Sequence, residues 1–125
     1  IDNAMTGIWV DGSADTQIRN GNTISNSRAD GIHLRYGQSN GTVVVGNTIT
    51  ESRNNGIYIE DVDGNSSKRV EIEGNIISGA NRGVYNNNSN NTRIAGNTIS
   101  DVVNGIVINP SNNTNTIGNV ITDTT

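Results

Sequence analysis

Five short phrases hold most of the residues able to do chemistry: "GIWVD", "GIHLR", "GIYIE", "GVYNN" and "GIVIN", which begin at Gly7, Gly31, Gly56, Gly83 and Gly105. Aligned on the glycine, they put Trp9, His33, Tyr58, Tyr85 and Val107 in one file and Asp11, Arg35, Glu60, Asn87 and Asn109 in another. The first file contains the only Trp, the only His and two of the three Tyr. Aromatic faces stack on sugar rings, so such a file offers a track for a linear glycan. Aromatic rows on sheets also stack on one another and stabilise strand pairs. In the second file Arg35 stands between Asp11 and Glu60, a surface ion network worth under about 1 kcal/mol per pair. Read catalytically, Asp11 and Glu60 are paired carboxylates two repeats apart, about 9.6 Å at strand spacing. That is near the upper end of the roughly 6.5–9.5 Å gap of an inverting glycosidase. Arg35 between them weakens this reading, because it holds both acids ionised when one must carry a proton.

Two further groups have spacings that suggest binding. Arg28 and Arg53 precede Gly31 and Gly56 at equal offset, and Arg82 adjoins Gly83. Stacked arginines repel unless an anion intervenes, and Asp30 and Glu51 are near enough in sequence to supply it. The long insertion "EDVDGNSSKR", Glu60 to Arg69, alternates Asp61, Asp63 and Asn65 as oxygen ligands alternate in a calcium loop. Gly64 comes two places early for that loop, and Ile72 stands where a bidentate Glu is required. The expectation is a polar loop, with calcium the alternative and no other cofactor.

These residues need elements that set them in files, and a repeat supplies them. Gly-Asn recurs at Gly21, Gly46, Gly74, Gly96 and Gly118, spaced by 25, 28, 22 and 22 residues. From each Gly-Asn to the next Gly-Ile or Gly-Val the distance holds at 9 or 10, so length variation falls in one connection. Within a unit the period is two, which means strands. Ile8, Val10, Ile32, Leu34, Ile57 and Ile59 face one way on the first strand, and Ile24, Ile49, Ile77, Ile99 and Ile121 face inward on a third. A second strand runs through "TQIR", "TVVV", "RVEIE" and "TRIA", and its register slips in the last unit, where Ile117 rather than Thr116 is apolar. No unit has room for a helix.

Three short strands in about 22 residues describe one coil of a parallel β-helix, with like strands of successive coils paired. The expected fold is all-β, about five coils, one unit over residues 1–125. Glycine serves the corners, and Asn22, Asn47, Asn75, Asn97 and Asn119 pass amide hydrogen bonds from coil to coil. Composition agrees. Among 125 residues, 31% are hydrophobic, with one Pro, no Cys and a net charge of −4. That is a thin layered core rather than an ordinary globule or a disordered chain. The absence of Cys excludes disulfides, and an acidic balance argues against nucleic acid as a partner. No apolar run reaches membrane-spanning length.

Repeats such as "NNTRIAGNTISDVVNGIVI" resemble those of the right-handed parallel β-helix superfamily of pectate-lyase type, over essentially the whole chain. Its members include polysaccharide lyases, polygalacturonases, alginate epimerases and phage tailspikes. The resemblance implies right-handed coiling and a polysaccharide ligand; on the files read above, that ligand would meet Trp9, His33, Arg35, Tyr58, Glu60, Tyr85, Arg28 and Arg53, and the expected location is secreted or cell surface. Elimination or epimerisation would need a base near the sugar's C5, with His33 or Tyr58 the candidates, and a cation such as Arg35 to neutralise the carboxylate. The Asp-Pro-His run of the epimerases and the Gly-His-Gly and Asp-Asp motifs of the polygalacturonases are missing, so no catalytic set is complete.

Two other classes compete. Uncapped ends and nearly five whole turns suit a structural or adhesive module, joined end to end or to flanking coils. The outward residues Thr23, Thr48 and Thr98 of the third strand suit a flat hydroxyl array of the ice-binding kind, interrupted by Ile76 and Val120.

Overall fold

The computed structural model describes residues 1–65 and 67–125. The first coil carries β1 (Ile8–Asp11), β2 (Gln17–Arg19) and β3 (Thr23–Ser25), and the second β4 (Ile32–Arg35), β5 (Val43–Val45) and β6 (Thr48–Thr50). The third carries β7 (Asn55–Glu60) and β8 (Val70–Glu73). Then come β9 (Ile76–Asn87), β10 (Thr92–Ala95), β11 (Thr98–Asn109), β12 (Asn115–Ile117) and β13 (Val120–Ile121). Every strand pair is parallel, and the order β12-β10-β8-β5-β2 forms one sheet. The fold is the all-β solenoid of about five turns that the repeat predicts.

Two expectations about the strands change. The third strand of one coil and the first strand of the next are continuous in β9 and β11, so their rows merge into one eight-stranded sheet, in which β1-β4-β7-β9-β11-β13 is one path and β3-β6 joins it at β9. The shorter spacing of these coils leaves no residues for a break. The second strand keeps its register in the last coil: Thr116 lies opposite Ile94 and Ile117 opposite Ala95, which turns Ile117 outward. Ladder hydrogen bonding to β10 overrides the hydrophobic pattern there. A 3₁₀ turn at Gly37–Ser39 supplies the helical turn the sequence shows no room for.

Alternation puts Ile32, Leu34, Ile57, Ile59, Val84, Ile24, Ile49, Ile77 and Ile99 in a fully buried core. Asn86 sits in that core where the flanking coils have Ile59 and Ile108. Its amide donates to the Ser89 carbonyl and the Thr114 hydroxyl, which offsets part of the cost of burial. Glycine is used for two different reasons. Gly46 adopts φ 68°, the left-handed corner conformation. At Gly31 a Cβ would strike Ile49 Cγ2 and lie 2.6 Å from the Gly56 carbonyl oxygen, so close approach demands it. Between the corners runs the expected amide ladder. Asn22 donates to Asn47, Asn47 to Asn75, Asn75 to Asn97 and Asn97 to Asn119, at 2.9–3.2 Å. Each of the middle three also donates to a second-strand carbonyl, as Asn75 does to Val44 at 2.9 Å.

Candidate functional site

Both sequence files form as aligned. Trp9, His33, Tyr58, Tyr85 and Val107 are paired in register across β1, β4, β7, β9 and β11, and Asp11, Arg35, Glu60, Asn87 and Asn109 beside them. The aromatic rings pack against one another along the file, Tyr58 and Tyr85 face to face and the other two pairs tilted. Ring centroids are 4.7 Å apart for Trp9 and His33, 4.5 Å for His33 and Tyr58, and 5.1 Å for Tyr58 and Tyr85. Faces spent on neighbours are not available as sugar platforms, so the interior of this file stabilises the sheet. Trp9, half exposed on the edge strand, is the member able to present a ring to a ligand.

A polar network ties the two files together. His33 is buried, with Nδ1 3.4 Å from Asp30 Oδ2 and Nε2 3.1 Å from Glu60 Oε2. Tyr58 donates its hydroxyl to Glu60 Oε1 at 3.2 Å, and Arg35 Nε lies 3.5 Å from Glu60 Oε2. Asn87 donates to the Tyr58 hydroxyl, and Asn109 to Asn87 Oδ1. Burial pushes the Asp30 carboxyl above its ordinary value, although the Asn55 amide and His33 favour its ionised form. Desolvation likewise pushes the Tyr58 phenol up, which makes it a poorer base at neutral pH. His33, the other candidate base, has a carboxylate at each ring nitrogen. Of the two acids expected to pair with Arg35, only Glu60 does so; Asp11 is exposed, and no ion pair among the described residues includes it. Glu60, which accepts from Tyr58 and faces both His33 and Arg35, is not a free partner for an Asp11 carboxylate pair.

The remaining candidates lie apart from this face. Arg28 and Arg53 line a groove of about 570 Å³ with Glu51, Ser27 and Ser52, at the corner before the first strand. Arg82 is not in their row: it stands one place before Gly83, where Arg28 and Arg53 stand three before their glycines, and its register partner is Asn55. The anion expected between the arginines is absent among the described ion pairs, since Asp30 turns inward to His33 and Asn55. The Asp30–His33 pair spans three residues across Gly31, a spacing visible in the sequence but readable only once both side chains are known to point inward. In the long insertion, Asn65 Oδ1 accepts from the Ser67 and Lys68 amides, and Asp61 Oδ1 accepts from Asn88. An Asx turn takes up the Asn65 oxygen, and nothing among these contacts supports a calcium site at Asp61, Asp63 and Asn65.

Sequence reasoning missed Tyr36. It occupies the corner after β4, in the row of Gly12, Asp61 and Asn88, and all four have positive φ. Gly, Asp and Asn take positive φ most readily; Tyr36, at φ 67° and ψ 155°, lies in a region that is strained for any residue but glycine. Aligning the corners as the strands were aligned would have exposed the odd residue.

A family model described as "NosD: Periplasmic copper-binding protein (NosD)" matches residues 1–125. No curated protein and no solved structure matches the chain. The family is periplasmic, in keeping with the expected secreted or surface location, and among the described residues no helix is long and apolar enough to cross a membrane. Its description implies copper, and the residues present do not fit a copper site. Copper is held by thiolate or thioether sulfur or by several imidazoles. This chain has no Cys, one Met and one His. Met5 is exposed, and both His33 nitrogens point at carboxylates. Among the described residues no three of His, Cys, Asp and Glu gather to hold a metal ion. The family match nonetheless runs from the first residue to the last, over a repeat and a solenoid of the same kind: the chain belongs to the NosD family.

Proposed function

We propose that this chain is an extracytoplasmic β-helix module that binds a linear glycan along the face of β1, β4, β7, β9 and β11. One observation carries the reading: half-exposed Trp9 adjoins a file of polar side chains, Arg35, Glu60, Asn87 and Asn109, in register from coil to coil. Sugars are recognised by an aromatic surface under the ring and by planar groups that share hydroxyl hydrogen bonds. This file offers both, with donors and acceptors repeating about every 4.8 Å. His33, Tyr58 and Tyr85 form the neighbouring file on the same face of the sheet. Arg28 and Arg53 lie around the corner, where a long ligand would meet them. The raised Tyr58 phenol and the doubly engaged His33 favour binding over catalysis, and this reading does not depend on kinship with pectate-lyase-type enzymes.

A glycan array probed with the purified chain tests it. Wild type should give reproducible hits that Trp9→Ala weakens at least tenfold while its melting temperature stays within a few degrees. No hits, or hits indifferent to Trp9→Ala, would reject the face. The competing reading, a structural or adhesive module, draws support from the self-stacked aromatics and the continuous amide ladder. Electron microscopy separates the two, since filaments without glycan binding favour the second.

A further inference from the structure

Arg35 is held in an unusual way. Its guanidinium carbon lies 4.2 Å from the ring centroid of Tyr36 and 5.8 Å from that of Trp9. Its Nε is sealed from solvent and turned toward Glu60 Oε2 at 3.5 Å. A third of the side chain remains exposed. With Nε facing inward, the exposed part includes the two Nη groups, and among the described residues neither has a hydrogen-bond partner. The two neighbouring rings orient the guanidinium, although its buried Nε makes no hydrogen bond, and its fork matches the two oxygens of a planar oxyanion. Tyr36 holds this position at φ 67° and ψ 155°, a backbone conformation costly for any residue with a side chain, in a row where Gly12, Asp61 and Asn88 also have positive φ. Strain of that kind persists where the side chain serves a purpose. Tyr36 is 44% exposed and packs on the arginine rather than the core, so its purpose is not core packing.

We propose that Trp9, Arg35 and Tyr36 form a clamp for a carboxylate carried on the bound glycan, with Arg35 holding the oxygens and the two rings flanking the sugar. The clamp rests on the glycan reading above and adds to it the charge class of the ligand and Tyr36 as a contact residue. Glu60 leaves the clamp able to take an anion, because its carboxylate already accepts from Tyr58 and faces His33 as well as Arg35. A tetrahedral sulfate can also take the fork in a bidentate way, so sulfated glycans form a separate arm of the test.

The test uses an array of neutral, carboxylated and sulfated glycans with wild type, Arg35→Lys and Tyr36→Gly. Carboxylated glycans should lead the wild-type hits by at least tenfold over neutral counterparts, a preference that shrinks in high salt. Arg35→Lys keeps the charge but loses the fork and should abolish most of that preference. Tyr36→Gly should melt at the same temperature or higher, because the strain is relieved, and yet bind at least fivefold more weakly. Neutral hits that survive both substitutions would overturn the clamp and leave the glycan reading standing. Sulfated glycans in first place would overturn the assignment to carboxylate. A Tyr36→Gly chain that binds like wild type would remove Tyr36 from the site, and an array with no hits of any class would reject clamp and glycan reading together.

Discussion

The Tyr58 and Tyr85 rings lie 4° from parallel with centroids 5.1 Å apart, so each covers a face of the other across the β7–β9 pairing. Such a pair is worth about 0.5–1.5 kcal/mol beyond the area it buries. A double-mutant cycle with Tyr58→Leu and Tyr85→Leu, read by urea unfolding, should return a coupling energy in that range. Coupling near zero would mean that the rings stack in shape only and that the file contributes nothing to holding the coils together.

Asn75 and Asn22 occupy equivalent rungs of the amide ladder in different surroundings. Asn75 is fully buried; its oxygen accepts from the Asn47 amide and side chain, and its nitrogen donates to Val44 and Asn97. Asn22 is exposed on the outermost rung. A buried group left unpaired costs about 1–3 kcal/mol. Asn75→Ala strands several such groups and should destabilise by at least about 3 kcal/mol, whereas Asn22→Ala should cost about 1 kcal/mol or less. Equal losses in urea unfolding would show that water reaches the buried rungs.

The Asp30 carboxyl predicts a pH effect with a definite sign. Its native pKa lies above the ordinary value of 3.8, chiefly because burial disfavours the charge. Between 3.8 and that raised native pKa the folded chain binds more protons than the unfolded one, so stability falls as pH rises through the window. Below 3.8 the full contribution is present. Asp30→Asn can still accept from Asn55 and carries no charge, so it should gain stability relative to wild type on going from pH 3.5 to pH 7. A difference between the two chains that stays constant with pH, or shrinks, would contradict the burial argument.

The period-two pattern was enough to place Ile57 and Ile59 inward with Tyr58 between them, because a strand's side chains alternate whatever else surrounds them. The Asn ladder was legible for a similar reason: one residue type recurring beside a corner glycine leaves little else for it to do. Offsets inside the corners were not legible. Arg82 looks like a neighbour of Arg28 and Arg53 until its register sets it opposite Asn55, and Asp30 looks like their counterion until its side chain is seen turned to His33. Ladder hydrogen bonds decided Ile117 against its own hydrophobicity. Tyr36 escaped because turn residues are read by type, and a Tyr at a left-handed corner breaks the rule on which that reading depends.

Chemical-shift mapping bears most directly on the glycan-binding face. The chain, labelled with ¹⁵N and titrated with the best oligosaccharide from the array, should show its largest perturbations at the Trp9 indole, the Arg35 side chain, and the Asn87 and Asn109 amide groups. The Asn75 and Asn97 amides of the buried ladder should stay unmoved. Perturbations confined to the opposite sheet of β2, β5, β8, β10 and β12, or spread evenly over the molecule, would contradict the account.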